Sequence, residues 1–309
     1  MSYAILSARA LAFVATATVA ITAGATGQRS FVASNGSDLN ACTLVQPCRG
    51  FATAVTNTND GGEVIVLDSA GYGPVTITKS ITIAAPAGIY AGISVAGGNG
   101  VTVNGAGITV TLRGLTINQL PGGVNGISFV QGNRLVVKDC DIGGDFMNAI
   151  NVAAANSQVV VTSTTLHEAD YGFFALGTIT ATLDGVHLDG NGYGVWADNG
   201  SHVTVANSVI TGPGTRGATA VASSTGSSTL TVVRTVISGV SVGLAVGASG
   251  AGSTAKLFSD GNLITEATFA GFLYVGQGGN EFLYTRDNNS VGFAQSPVTG
   301  GALVSCCAH

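Results

Sequence analysis

Three columns of apolar residues recur along the chain at a spacing far longer than a helical turn or a hairpin. One closes a Val-rich stretch and runs through Ile117, Ile142, Leu166, Leu188, Ile210, Ile237 and Ile264, at intervals of 25, 24, 22, 22, 27 and 27 residues. A second follows a turn and runs through Ile127, Ile150, Phe173, Val195, Val221, Leu244 and Phe272, at intervals of 23, 23, 22, 26, 23 and 28. A third runs through Leu112, Val137, Val161, Leu183, Val205, Val232 and Leu257. The three columns keep step, so each repeat supplies three short strands, each with a counterpart in the next repeat. Segments such as Val203-Thr204-Val205 alternate, as a strand with one buried face must. Like strands stacked about 4.8 Å apart form parallel sheets. An antiparallel sandwich would need hairpin turns between neighbouring strands and would not repeat at coil length. Leucine-rich repeats have a similar period, but their fixed Leu spacing and Asn are missing. The sequence therefore predicts an all-β parallel solenoid, with insertions such as 212–217 and 247–252 absorbed in loops.

Composition supports this and excludes alternatives. Charged residues make up 9% of the 309 positions and Gly numbers 46, which suits short strands and tight turns better than disorder or a helical bundle. The formal charge is -5 and no basic stripe is present, so nucleic-acid binding has no electrostatic footprint. The only long apolar run is Leu11 to Ala25; with Arg9 before it and Ala23-Gly24-Ala25 at its end it predicts a signal peptide over 1–25, with no membrane span after cleavage. The expected destination is secreted or periplasmic. Export makes a disulfide between Cys42 and Cys48, around Pro47, the natural expectation. Cys140 falls on a core-facing position, and Cys306 and Cys307 could pair with another chain, with each other, or stay free. Residues 26–60 lack the repeat; Phe51-Ala52-Thr53-Ala54-Val55 predicts a short helix, and the segment is assigned as an N-terminal cap over the first coil. The coils occupy 61–293, and 294–309 is expected to be an irregular cover or tail.

The stretch Phe31-Val32-Ala33-Ser34-Asn35-Gly36-Ser37-Asp38, then Cys42, Pro47-Cys48-Arg49 and Gly61-Gly62-Glu63-Val64-Ile65-Val66-Leu67, resembles the entry segment of secreted right-handed parallel β-helix proteins of the pectin-lyase-like group. Tyr72 to Ile77, Lys79 to Ile83 and Leu112 to Ile117 extend the resemblance, which covers nearly all of the chain after the leader. It implies a single-stranded right-handed parallel β-helix. It implies no one activity, because this fold carries lyases, hydrolases, epimerases and phage depolymerases.

Two enzyme classes of that group can be tested on the residues. The Asn-Thr-Asp, Asp-Asp, Gly-His-Gly and Arg-Ile-Lys motifs of polygalacturonase-like hydrolases are all missing, so no paired carboxylates can be assigned. Pectate-lyase-like enzymes combine Ca²⁺, carboxylates and a base. The candidates here are Asp139 and Asp141 on one coil, Lys138 and Asp184 in one column two coils apart, and His187 in the column of Asp141. Ca²⁺ is implied only under that alternative; otherwise no cofactor and no metal is expected.

A more local feature is aromatic. Tyr171-Gly172-Phe173-Phe174 and Tyr193-Gly194-Val195-Trp196 occupy equivalent places on consecutive coils. With Phe173 and Val195 inward, Phe174 and Trp196 point outward, one above the other, beside the pair Tyr171 and Tyr193. The expected counterparts of Phe174 and Trp196 are Ser128 and Asn151 on earlier coils and Ala222 and Ala245 on later ones. Asp170, Asp189 and Asp198 lie in the flanking turns. Flat rings beside carboxylates can hold a sugar, but rings can also stack to stabilise a ladder or form a protein interface. Three functions follow: a non-catalytic exported β-helix binding a glycan or envelope partner through the aromatic ladder, a lyase or hydrolase acting on an acidic polysaccharide, and a structural or adhesive surface protein.

Overall fold

The structure, a computed structural model, describes residues 27–223, 226–276, 278–286, 288–292, 296–301 and 304–305. The expected signal peptide and Cys306 and Cys307 lie outside the described residues. The strands form three sheets of 12, 10 and 10 members, and each coil of the chain visits the three in turn. One coil runs through Arg134–Lys138 in the first sheet, Asp141–Gly143 in the second and Asn148–Val152 in the third, before Ser157–Thr162 returns to the first. Neighbouring strands pair in parallel throughout the three sheets. The interior is filled by the inward-facing Val, Ile, Leu and Phe of all three.

The column from Ile117 to Ile264 is observed as expected, each residue paired with the next in the second sheet. The other two columns each contain one displaced residue. Val195 pairs with Ala218, not Val221, and Ala218 pairs with Leu244. The counterpart of Trp196 is accordingly Thr219 rather than Ala222. The cause is a column of glycines immediately before the inward residue. A side-chain carbon on Gly172, Gly194, Gly217 or Gly243 would lie 2.4–2.8 Å from the carbonyl oxygen of Gly194, Gly217, Gly243 or Gly271 on the following coil. Those glycines set the alignment, and the small Ala218 simply fills less of the core. In the first sheet Val232 pairs with Ser259 and Leu230 with Leu257. Ser259 is a polar residue in an apolar column. It is tolerated because its hydroxyl donates to Asn289 Oδ1 at 3.0 Å and accepts from Asn262 Nδ2 at 2.9 Å.

The turn between the first and second sheets is built the same way in successive coils. Gly114, Asp139, Ser163, Gly185, Asn207, Arg234 and Gly261 all have φ between 47° and 71° there. The next residue points inward, and where it is polar it bonds to neighbouring backbone. Thr164 Oγ1 accepts from Cys140 N, Ser208 Oγ from Val186 N, and Asn262 Oδ1 from Thr235 N. Cys140 occupies this position, buried, and burial pushes its thiol up to about 11.

The short helix is present as Phe51–Asn57, burying Phe51, Ala54 and Val55. The segment assigned as a cap also contributes a strand. Gly27–Val32 pairs with Thr58–Val66 and ends the first sheet. Its free edge is closed by the loop that Cys42 and Cys48 staple. Phe31 N donates to Cys42 O, Cys48 N to Phe31 O, and Ala33 N to Cys48 O. At the other end, Ser296–Thr299 and Val304–Ser305 add strands to the third and first sheets, so the described part of the expected irregular tail continues the coils.

Candidate functional site

The aromatic residues sit on the outward face of the third sheet, on Tyr171–Leu176 and Tyr193–Asp198. Inward Phe173 and Val195 are fully buried, and the residues beside them alternate outward. Tyr171 pairs with Tyr193, and Phe174 with Trp196; all four side chains are half-buried. Preceding coils carry Asn99, Asn125 and Asn148 in the tyrosine column. There the amides hand hydrogen bonds upward: Asn125 Nδ2 donates to Asn99 Oδ1 and Asn148 Nδ2 to Asn125 Oδ1, both at 2.7 Å. The ladder stops where Tyr171 replaces the next amide, leaving the buried Asn148 Oδ1 without a partner.

The four rings have different roles. Tyr171 and Tyr193 stack face to face, with centroids 4.8 Å apart and planes within 12°. Their facing surfaces are spent on each other. Trp196 stands edge-on to both, at 85°, with centroids 5.7 and 5.2 Å away. Its ring lines an open cleft of about 260 Å³, together with Arg216, Val221, Ser223, Ser249 and Val275. A space of this size grips part of a ligand rather than enclosing a large one. Arg216 follows Tyr193 in the column, and its guanidinium carbon lies 6.0 Å from the Trp196 ring centroid. That is the outer limit of a cation–π contact.

The expected acidic partners are placed differently. Asp198 is 7% exposed, and its carboxylate accepts from Ser223 N at 3.2 Å and from Ser223 Oγ at 2.9 and 2.8 Å. It therefore positions Ser223 at the cleft rather than offering itself to a ligand. Asp189 lies on the second sheet, where its Oδ1 accepts from Thr211 Oγ1 at 2.6 Å, and Asp170 is exposed in the turn before Tyr171. Arg216 and Ser223 were not among the sequence candidates. The glycine column, aligning Arg216-Gly217 with Tyr193-Gly194, is the signal that could have found Arg216.

The lyase candidates occupy the columns expected of them. Lys138, Thr162 and Asp184 form one column, and Asp141, Thr165 and His187 another. All five candidate side chains are exposed. Asp139 lies in the turn, its Oδ2 3.9 Å from Arg113 Nε, and Asp184 Oδ1 accepts from Asn207 Nδ2 at 2.7 Å. Asp141 approaches His167, not His187: Oδ1 is 3.3 Å from His167 Nε2, while His167 Nδ1 is 3.6 Å from Glu168 Oε2. No three His, Cys, Asp or Glu side chains converge as metal ligands among the described residues, so these carboxylates do not fit the oxygen cage that Ca²⁺ takes.

A second aromatic cluster escaped the sequence reading. Phe258 and Tyr284 stack on the outward face of the first sheet at 4.7 Å, with Phe282 alongside at 6.0 Å.

The fold places the chain among known proteins. It is similar to a pectate lyase, Pel9A, at 16% identity and a TM-score of 0.60, covering 89% of this chain and 79% of that one. It is also similar to tailspike protein 2 of an Escherichia coli O157:H7 bacteriophage, at 10% identity and a TM-score of 0.60, covering 82% of this chain and 39% of the tailspike. The chain thus spans well under half of the full-length tailspike. A search of curated protein sequences returns no match. The family model described as a right handed beta helix region matches residues 55–226 and 91–289, most of the chain. With its three parallel sheets and its coil-by-coil columns, the chain belongs to the right-handed β-helix family.

Proposed function

We propose that this is an exported β-helix protein that binds a polysaccharide at the Trp196 cleft, without cleaving it. The observation that carries this reading is the division of labour among the rings. The tyrosines stack on each other, whereas Trp196 lines an open cleft with hydroxyl and guanidinium groups around it. An indole face beside convergent polar groups is the arrangement that takes a sugar ring. A pectate lyase and a phage tailspike share the fold, which is in keeping with a glycan partner. The Cys42–Cys48 disulfide is in keeping with an oxidising compartment. Among the described residues, no helix is long and apolar enough to cross a membrane.

The test pairs binding with stability. Trp196→Ala is expected to keep its melting temperature within a few degrees and to weaken polysaccharide binding roughly tenfold or more, as loss of about 1–3 kcal/mol of apolar contact implies. Tyr193→Ala is expected to lower the melting temperature more, because it removes the stacked ring. A Trp196→Ala protein that melts far lower, with no polysaccharide bound by the wild type, would leave the rings a purely structural role and overturn the proposal.

A further inference from the structure

We infer that the Trp196 cleft recognises a negatively charged substituent on its sugar, read by Arg216; this rests on the glycan-binding reading above. Arg216 follows asparagines and tyrosines in its column, on the strand Arg216–Ala222 directly after Tyr193. Among the described residues it forms no ion pair and donates no hydrogen bond that would hold its charge for structural purposes. Three other arginines of the coils are engaged: Arg113 approaches Asp139 at 3.9 Å, Arg234 donates to Asn207 Oδ1 at 2.8 Å, and Arg286 pairs with Asp260 at 3.4 Å, while Arg134 projects from the surface, exposed, where Arg216 is half-buried. The acidic residue of the adjoining strand, Asp198, is engaged by Ser223 rather than by Arg216. Arg216 is half-buried, and its guanidinium carbon lies 6.0 Å from the Trp196 ring centroid in the cleft that both residues line. A guanidinium in that state matches an oxyanion with two acceptor oxygens, such as a uronate carboxylate or a sulfate ester. Ser223, whose hydroxyl proton is turned toward Asp198, presents its remaining oxygen lone pairs to hydroxyl donors on the same sugar.

The rest of the molecule argues that such selectivity is local. The whole chain carries a formal charge of -5, so it repels polyanions in general, and any preference for them must come from a particular place. In the tyrosine column the cleft has one cation and no neighbouring lysine: Val242 and Ala270 follow on the next coils.

Affinity electrophoresis and titration calorimetry at physiological salt would test this with three sets of soluble polymers: uronates (polygalacturonate, alginate), a sulfated galactan, and neutral galactan, xylan and glucan. The wild type is expected to bind at least one anionic set and to bind neutral polymers roughly tenfold more weakly or not at all. The set bound distinguishes carboxylate from sulfate. Arg216→Gln is expected to lose that preference while melting like the wild type, and Trp196→Ala to lose affinity for every polymer that binds. Neutral polymers bound as well as anionic ones, with Trp196→Ala still weakening them, would overturn the charge inference and leave the glycan site standing. Arg216→Gln binding uronate and sulfate like the wild type would overturn it equally. No polymer bound by the wild type would overturn both.

Discussion

Gly194→Ala tests whether the glycine column sets the coil alignment. A methyl at this position would lie 2.4 Å from Gly217 O and 2.9 Å from Ile210 Cγ2. The first contact is about an ångström inside ordinary carbon–oxygen contact, and the oxygen belongs to the backbone of the following coil, so it cannot swing away as a side chain could. The methyl must push apart two paired strands. Overpacking of a filled interior costs about 1–3 kcal/mol, and weakening a ladder hydrogen bond adds about 1 kcal/mol, for a total of about 2–4 kcal/mol. The control is Gly97→Ala, where a methyl meets nothing within 4 Å and the backbone is not left-handed. There the substitution is expected to be neutral or to stabilise by about 0.4–1 kcal/mol through the unfolded chain. Urea titrations of the two variants and the wild type, followed by far-UV circular dichroism, read the difference directly. A Gly194→Ala midpoint equal to that of Gly97→Ala would show that the coils absorb the methyl and that the column does not fix the alignment. Ala149 takes the glycine's place on the strand Asn148–Val152, while Gly126 on the coil before it keeps the exclusion: a side-chain carbon there would lie 2.6 Å from Ala149 O.

Three further outcomes are expected. Burial raises the Cys140 thiol from 9.0 to about 11, so the folded state keeps a proton that the unfolded chain loses; stability from this group is complete below about pH 9 and declines toward pH 11. Cys140→Thr, which installs the residue found at the matching turn positions Thr164 and Thr235, should flatten that alkaline decline, and wild-type Cys140 should react with a thiol reagent only after denaturation. Incubation with polygalacturonate and Ca²⁺ is expected to release no unsaturated product; a release that Asp141→Ala and His187→Ala abolish would establish the lyase alternative instead. Replacing Cys42 and Cys48 together by Ala is expected to lower stability by about 2 kcal/mol, because the disulfide spans a sequence separation of only 6; denaturant titration against the oxidised wild type measures it.

The fold was legible because a solenoid repeats its physics. The second-sheet column from Ile117 to Ile264 could be read without error, since the turn before it has the same two-residue form in coil after coil and its inward residue is always Ile or Leu. Reading failed where size and polarity were poor guides to position. Val221 is bulkier than Ala218 and reads in sequence as the core residue, although steric exclusion at Gly217 decides the matter. Ser259 is polar and Leu257 reads as the core residue in its place, because a hydroxyl satisfied by Asn262 and Asn289 looks in sequence like a surface group. The second slip also hid Phe258 and Tyr284, whose stacking depends on that alignment. At the site, the outward direction of Trp196 followed from strand alternation alone. The duties of Asp198 and Arg216 did not, because they depend on which of several nearby polar groups bond to one another across coils.

The stapled loop at the start of the first sheet has a consequence for polymerisation. A column of parallel rungs has no intrinsic length, and an uncovered terminal strand offers its amides and carbonyls to any other chain of the same kind. Here the backbone of Cys42 and Cys48 occupies that strand, so the molecule's growth from this end is stopped by a covalent ring. The disulfide ties that cover into a ring, so the first sheet ends on a strand whose outer amides and carbonyls already have partners within the same chain.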